Sequence, residues 1–311
     1  MKIAIVGSGG VGGYFGGKLA KAGFDVTFVA RGAHLRAMQS GGLTVKSILG
    51  DFKVPSVKTT TNLHEIGGCD LLILAVKAWQ VSPMALELKD VINADSVVLP
   101  LQNGVMALEE LREHLPGGIL LNGLCKIFSK IESPGVISHF GITPTILFGE
   151  PDNSKSERVR QIKNLFDAAG IYSEIPADIR AETWKKFIPI CVSGLLAITK
   201  TTYGELREIS ETRQMMIGLL HEIYELSQKI GIGIETDYVE KSVSVIDSYP
   251  YETTSSLTRD VWEGKPSEIE YQNGTVVRLG RQYGVDTPIN RFVYSCILPM
   301  EHRANKIMNT H

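Results

Sequence analysis

The chain is short of cysteine, of net charge and of long apolar runs, and each shortage removes a class of function. Its four cysteines, Cys69, Cys125, Cys191 and Cys296, are scattered, with no C-x-x-C pair and no zinc-like spacing. The seven histidines are equally dispersed. Neither a disulfide framework nor a metal is expected, and a reducing, cytoplasmic setting fits. A formal net charge of −2 gives no electrostatic case for nucleic acid or an anionic membrane as partner. The longest weakly polar stretch, Phe187 to Ile198, is too short to span a bilayer and reads as a buried helix. The start, Met1-Lys2 followed by Ile3-Ala4-Ile5-Val6, has a signal peptide's charge but breaks at Gly7, well short of a signal-peptide core.

What is present is an ordinary globular composition, 43% apolar and 21% charged over 311 residues. That length exceeds one hydrophobic core, so two domains are the starting expectation. The first half alternates short apolar runs with helical patterns, the signature of a parallel sheet wound with helices. Lys2 to Val6 reads as a strand, followed by a glycine-rich turn and a helix to Ala22. Further strands are expected at Val26 to Ala30, Leu71 to Val76 and Val97 to Leu101, with weaker candidates at Ile119 to Leu124 and Ile146 to Phe148. A helix to Ala169, closed by Gly170, and a strand from Tyr172 to Ile175 complete the first domain, residues 1–175. From Asp178 strand signals vanish, and helical patterns follow at 178–198, 207–230, 237–247, 255–262, 267–283 and 288–307. The expectation is an α/β Rossmann-type domain with a mainly parallel sheet, then an all-α domain over 176–311.

Gly7-Ser8-Gly9-Gly10-Val11-Gly12 is a G-x-G-x-x-G loop directly after a strand and opening a helix. The first glycine permits the tight turn, the second lets a pyrophosphate approach the backbone, and the third lets helix and strand pack closely. The helix N-terminus then offers free N–H groups and a partial positive charge to the phosphates. NAD enzymes place an acidic residue at the end of the second strand, to bond the ribose diol. Here that place is held by Arg31, a guanidinium suited to the 2′-phosphate of NADPH. Lys77 and Asn103 follow the third and fourth strands, at the carboxyl ends where ligands bind in open α/β sheets.

Carbonyl reduction needs a proton donor for the nascent alkoxide, and a lysine can serve if its surroundings lower its pKa. Lys186 is the candidate, at the head of the most apolar helix. Steps of four set Lys186, Ile190 and Gly194 on one helical face, while Lys185 points about 100° away. Pro189 removes a backbone donor within this helix. On pattern alone Lys186 reads equally well as a lysine snorkelling from a buried helix, while Ser255 reads first as a helix N-cap and Glu268 as an ordinary first-turn carboxylate.

These segments together resemble the ketopantoate reductase (2-dehydropantoate 2-reductase) family. The resemblance is carried by the glycine loop, Val29-Ala30-Arg31-Gly32, Val76-Lys77-Ala78-Trp79-Gln80, Leu101-Gln102-Asn103-Gly104-Val105, the run from Asp178 to Lys186, Thr254-Ser255-Ser256-Leu257 to Asp260, and Glu268-Ile269-Glu270-Tyr271-Gln272-Asn273-Gly274. It implies a C-terminal domain like that of 6-phosphogluconate dehydrogenase, and NADPH-dependent reduction of 2-dehydropantoate to pantoate, a step toward coenzyme A. It also implies roles by position. Lys186 matches the catalytic lysine, Glu268 its acidic partner and Ser256 a substrate-carboxylate contact. Lys77 would lie near the cofactor's phosphates and ribose, and Asn103 near the nicotinamide ribose. Three substrate-contacting asparagines of the family are replaced here by Ile190, Gly194 and Thr253. Losing amide readout weakens discrimination in a site built around it. A reductase of a different small 2-oxo acid is therefore a second expectation, and a non-catalytic NADPH-binding protein a third. A homodimer through the helical domain is compatible with the pattern.

Overall fold

A computed structural model describes residues 1–308. The chain forms two compact units, one of residues 1–102 with 106–180, the other of residues 103–105 with the chain from 181 onward.

In the first unit β1 (Lys2–Val6), α1 (Gly10–Lys21), β2 (Asp25–Val29) and α2 (Gly32–Gly41) follow in order, then β3 (Leu43–Ser47), β4 (Phe52–Val54) and β5 (Lys58–Thr60). Next come β6 (Leu71–Leu74), α3 (Val81–Leu88), β7 (Val97–Pro100), α4 (Ala107–His114) and β8 (Ile119–Leu120). A long hairpin of β9 (Asn122–Ser133) and β10 (Val136–Gly149) precedes α5 (Glu157–Ala168) and β11 (Tyr172–Glu174). The main sheet has six parallel strands in the order β5-β2-β1-β6-β7-β8, with Val6 opposite both Val29 and Leu74.

Its central strands are apolar throughout because both faces are covered. Ile3, Ile5, Leu71, Ile73, Val97 and Leu99 enter one core with Phe15 and Phe28. The intervening Ala4, Val6, Leu72, Leu74 and Val98 enter another with Val81, Ala85 and Leu111. Each Val, Leu, Ile and Phe among them contributes about 1.5–3 kcal/mol by leaving water.

Sequence patterning shows only fragments of a second, mixed sheet. There β10 pairs in parallel with β3 and β11 and antiparallel with β9, and β3 carries β4. The weak strand expectation at 119–124 covers β8 of the main sheet and the start of β9, and that at 146–148 lies in the last part of β10. The outer part of the hairpin alternates Lys126, Lys130 and Glu132 with half-exposed apolar residues, so no buried run marks it.

The second unit is helical: α6 (Ile179–Ile190), α7 (Val192–Thr199), α8 (Tyr203–Glu208), α9 (Ser210–Ile230), α10 (Tyr238–Asp247), α11 (Ser256–Trp262), α12 (Asn273–Tyr283) and α13 (Pro288–Met308). The change of unit falls after Arg180, not after 175. Ile179 explains the difference. It is buried with Leu124 and Leu147, and its N–H donates to Asn153 Oδ1 at 3.0 Å.

Two patterns read as single helices are divided. At 178–198 the division lies between Ile190 and Val192, just after Pro189. At 267–283 a one-turn helix over Ile269–Tyr271 precedes α12. Near 207 the break comes at Ile209, which is extended between α8 and α9. Among the described residues no helix is long and apolar enough to cross a membrane.

Candidate active site

The glycine loop turns directly out of β1. Gly7 has φ +95°, a conformation that favours glycine. A Cβ on Gly12 would stand 2.0 Å from the Gly7 carbonyl oxygen, so this position tolerates no side chain while α1 packs on β1. A Cβ on Gly9 would meet nothing within 4 Å, which is the open side that a pyrophosphate requires. The N-terminus of α1 has no side-chain cap hydrogen bond and no acidic residue in its first turn, which leaves its positive end suited to an anionic ligand. Ser8 is buried in the turn, and Val11 packs against the core.

Two side chains stand at the carboxyl ends of β2 and β6, the strands that flank β1. Arg31 follows β2 and is exposed, and its guanidinium makes no hydrogen bond or ion pair among the described residues. Lys77 follows β6 and is exposed, its Nζ 5.6 Å from the centre of the Trp79 ring. At the end of β7, Gln102 is buried and donates to the carbonyls of Leu74 (2.9 Å) and Val76 (3.1 Å), tying the ends of β6 and β7 together. The residues of this unit fit NADPH: glycines where phosphates must approach, an uncapped helix N-terminus, and a guanidinium in place of a carboxylate.

In the helical unit three residues distant in sequence are linked. Lys186 Nζ donates to Asn103 Oδ1 at 2.9 Å, and Asn103 Nδ2 donates to Glu268 Oε2 at 3.2 Å. An ammonium has only donors and a carboxylate only acceptors, so the amide can bridge them in one orientation alone. Glu268 is buried at 5% exposure, on a turn held by Ser267. The Ser267 N–H and hydroxyl both donate to the Glu301 carboxylate of α13, at 3.0 and 2.8 Å to Oε2. Lys186 is half-buried, while Lys185 turns away into an ion cluster with Glu182 (3.2 Å) and Glu235 (2.9 Å). Those carboxylates outweigh partial burial and raise the Lys185 pKa; its hydrogen bond in turn lowers that of Glu235.

The other positions singled out in the sequence have surroundings of their own. Ser256 is exposed at the first position of α11, whose N-cap is Ser255, accepting from the Thr258 N–H at 3.0 Å. Thr253 precedes it, and its carbonyl accepts from the Tyr203 N–H at 2.9 Å. Ile190 is half-buried against the apolar core of the helical unit. Gly194 is buried, and a Cβ there would meet Asn273 Oδ1 at 2.5 Å and Val293 Cγ1 at 2.6 Å. Asn273 itself donates to the Cys191 carbonyl (3.1 Å) and to Asn290 Oδ1 (2.9 Å). The space beside residue 194 is therefore already filled by the Asn273 amide. Sequence reasoning did not find this role of Asn273, nor the strand-tying role of Gln102; both follow from tertiary contacts that no spacing encodes.

The wound parallel sheet with its glycine turn and the helical unit with its lysine bridge define a nucleotide-dependent oxidoreductase acting on CH–OH groups. Residues 3–153 match the family model for ketopantoate reductase PanE/ApbA, and residues 178–301 match that for its C-terminal domain. The 2-dehydropantoate 2-reductase of Nostoc is 30% identical over 92% of this chain and 91% of its own. An uncharacterized oxidoreductase of Bacillus subtilis, YkpB, is 28% identical over 95% of this chain and 97% of its own. The crystal structure of a PanE/ApbA family ketopantoate reductase from Ralstonia eutropha superimposes with a TM-score of 0.91 at 29% identity, covering 98% of this chain and 100% of that one. The chain belongs to the ketopantoate reductase family, whose members depend on NADPH.

Proposed function

We propose that this protein reduces 2-dehydropantoate to pantoate with NADPH, and that Lys186 supplies the proton. The observation that supports this reading best is the Lys186–Asn103–Glu268 bridge, which gives the ammonium a fixed direction and links it to a buried carboxylate. When bound, the cofactor supplies the hydride. Gly7, Gly9 and Gly12, with Ser8, Gly10 and Val11 completing the turn, would hold the pyrophosphate, Arg31 the 2′-phosphate and Lys77 the adjoining phosphates and ribose. Lys186 would hold the substrate's 2-oxo oxygen by an N–H donor and release that proton as negative charge develops there. Asn103 and Glu268 would keep the amine aimed and restore its proton. Ser256, exposed at the start of α11, would take the substrate carboxylate. A reducing cytoplasm is the proposed setting.

The surroundings of residues 190 and 194 favour a second reading, in which a different small 2-oxo acid is the preferred substrate. Ile190 offers no hydrogen bond, and the Gly194 site has no room for an amide while Asn273 occupies it. NADPH absorbance followed with 2-dehydropantoate and a panel of other 2-oxo acids tests both. A clear maximum of kcat/KM on 2-dehydropantoate supports the first reading, and a maximum elsewhere selects the second. NADPH binding without turnover of any carbonyl acid would overturn both.

A further inference from the structure

Pro189 lies inside α6, three residues after Lys186. In an α-helix the N–H of residue 189 would donate to the carbonyl of residue 185, and proline has no N–H to give. The Lys185 carbonyl is thus deprived of its helical partner, and an unpaired buried carbonyl is costly. The Tyr238 hydroxyl, from the first residue of α10, donates to this carbonyl. Tyr238 is half-buried, lies beneath the Lys185 ammonium (6.0 Å from ring centre to Nζ), and is tied into α10 through Ser242, whose hydroxyl donates to the Tyr238 carbonyl at 2.8 Å. Burial holds the phenol protonated by raising its pKa, so it remains a donor.

The Lys185 carbonyl belongs to the peptide plane that also contains the Lys186 nitrogen. Whatever fixes that plane fixes the Lys186 N–Cα bond, and with φ held at its helical value it sets the direction of Cα–Cβ. We infer that Tyr238 is a positioning residue for Lys186, replacing through its hydroxyl the helix hydrogen bond that Pro189 removes. The inference rests on the proposed role of Lys186 as proton donor. A lysine amine about 6 Å from its Cα moves about 1 Å when its backbone turns by about 10°, a displacement that can cost about a hundredfold in rate.

The test is a set of four variants, Tyr238→Phe, Pro189→Ala, the double variant, and Lys186→Ala. Each is assayed with NADPH and 2-dehydropantoate, or with the 2-oxo acid that the wild type turns over fastest. Tyr238→Phe keeps the ring and removes the donor; kcat should fall roughly ten- to a hundredfold, with KM and NADPH affinity within about twofold. Pro189→Ala returns an N–H opposite the Lys185 carbonyl, so the double variant should recover most of the lost kcat. A purely structural tyrosine would show no such rescue. Unchanged kcat in Tyr238→Phe, or a loss that Pro189→Ala fails to restore while thermal unfolding is unaltered, overturns the inference. The Lys186→Ala arm separates the two levels. If it is inactive while Tyr238→Phe is normal, only the positioning role falls; if it keeps turnover, the proton-donor reading falls first and takes this role with it.

Discussion

Gly194→Ala sets two opposed effects of known size against each other. Residue 194 lies in α7, where alanine is favoured over glycine by about 1 kcal/mol in helix propensity. Against this, the added Cβ would stand 2.5 Å from Asn273 Oδ1 and 2.6 Å from Val293 Cγ1. Both neighbours are fully buried, so neither can swing into solvent. Displacing Asn273 strains its two donor bonds, to the Cys191 carbonyl and to Asn290. Those bonds are worth about 1 kcal/mol each, and overpacking adds about 1–3 kcal/mol. The overlap outweighs the propensity gain, leaving a net destabilisation of about 2 kcal/mol or more. At about 2–4 °C per kcal/mol, the calorimetric Tm should drop by roughly 4–8 °C. A Tm equal to or above that of the wild type would show that Asn273 relaxes freely. It would also remove the steric argument for an altered substrate end.

Three further outcomes follow from the same contacts. Arg31→Ala should weaken NADPH about 10- to 100-fold while leaving NADH affinity nearly unchanged, measured by cofactor fluorescence titration; equal loss of both would place the guanidinium elsewhere. Glu222, buried in α9, accepts from the N–H groups of Ile289 (2.7 Å) and Asn290 (3.0 Å) and from Asn290 Nδ2 (2.8 Å). Glu222→Ala should cost about 3 kcal/mol in urea unfolding, because it leaves the start of α13 unsatisfied, and Glu222→Gln should cost less. Asp247 accepts from both Arg213 nitrogens at 2.6 and 2.7 Å, and that hydrogen bonding holds its carboxyl below the ordinary carboxylate range. A lowered folded pKa means stability present above the unfolded value of about 4 and lost as pH falls through the folded value. Asp247→Asn should therefore remove about 0.5 kcal/mol at neutral pH and none at the acid end, the small size reflecting a pair about one-third exposed.

The parallel core was legible because strands covered on both faces are continuous apolar runs, as in Leu71 to Leu74. The hairpin of β9 and β10 was not, since its outer half carries Lys126, Lys130 and Glu132 and exposes Phe128 and Phe140. The glycine loop and Arg31 are local features that spacing alone can mark. The bridge through Asn103 spans 83 residues to Lys186 and 165 to Glu268, and no periodicity reports contacts of that range. Pro189 was visible as a missing donor, but the tyrosine that answers it lies 53 residues from Lys185 and shows only in the fold.

The glycine-rich start of α1 also lies against the second sheet. A Cβ on Gly10 would stand 2.6 Å from the Ser129 carbonyl oxygen of β9, and one on Gly13 would stand 2.7 Å from the Ile137 side chain of β10. With β1 and β2 on its other side, the glycine turn at the start of α1 is clamped between two sheets before any ligand arrives. The conformational entropy of this turn is thus lost when the chain folds, not when the dinucleotide binds. Hydrogen exchange at the amides of Gly13 to Phe15 should already be slow in the free protein, and association should read out as docking onto a rigid cradle, with no slow ordering phase.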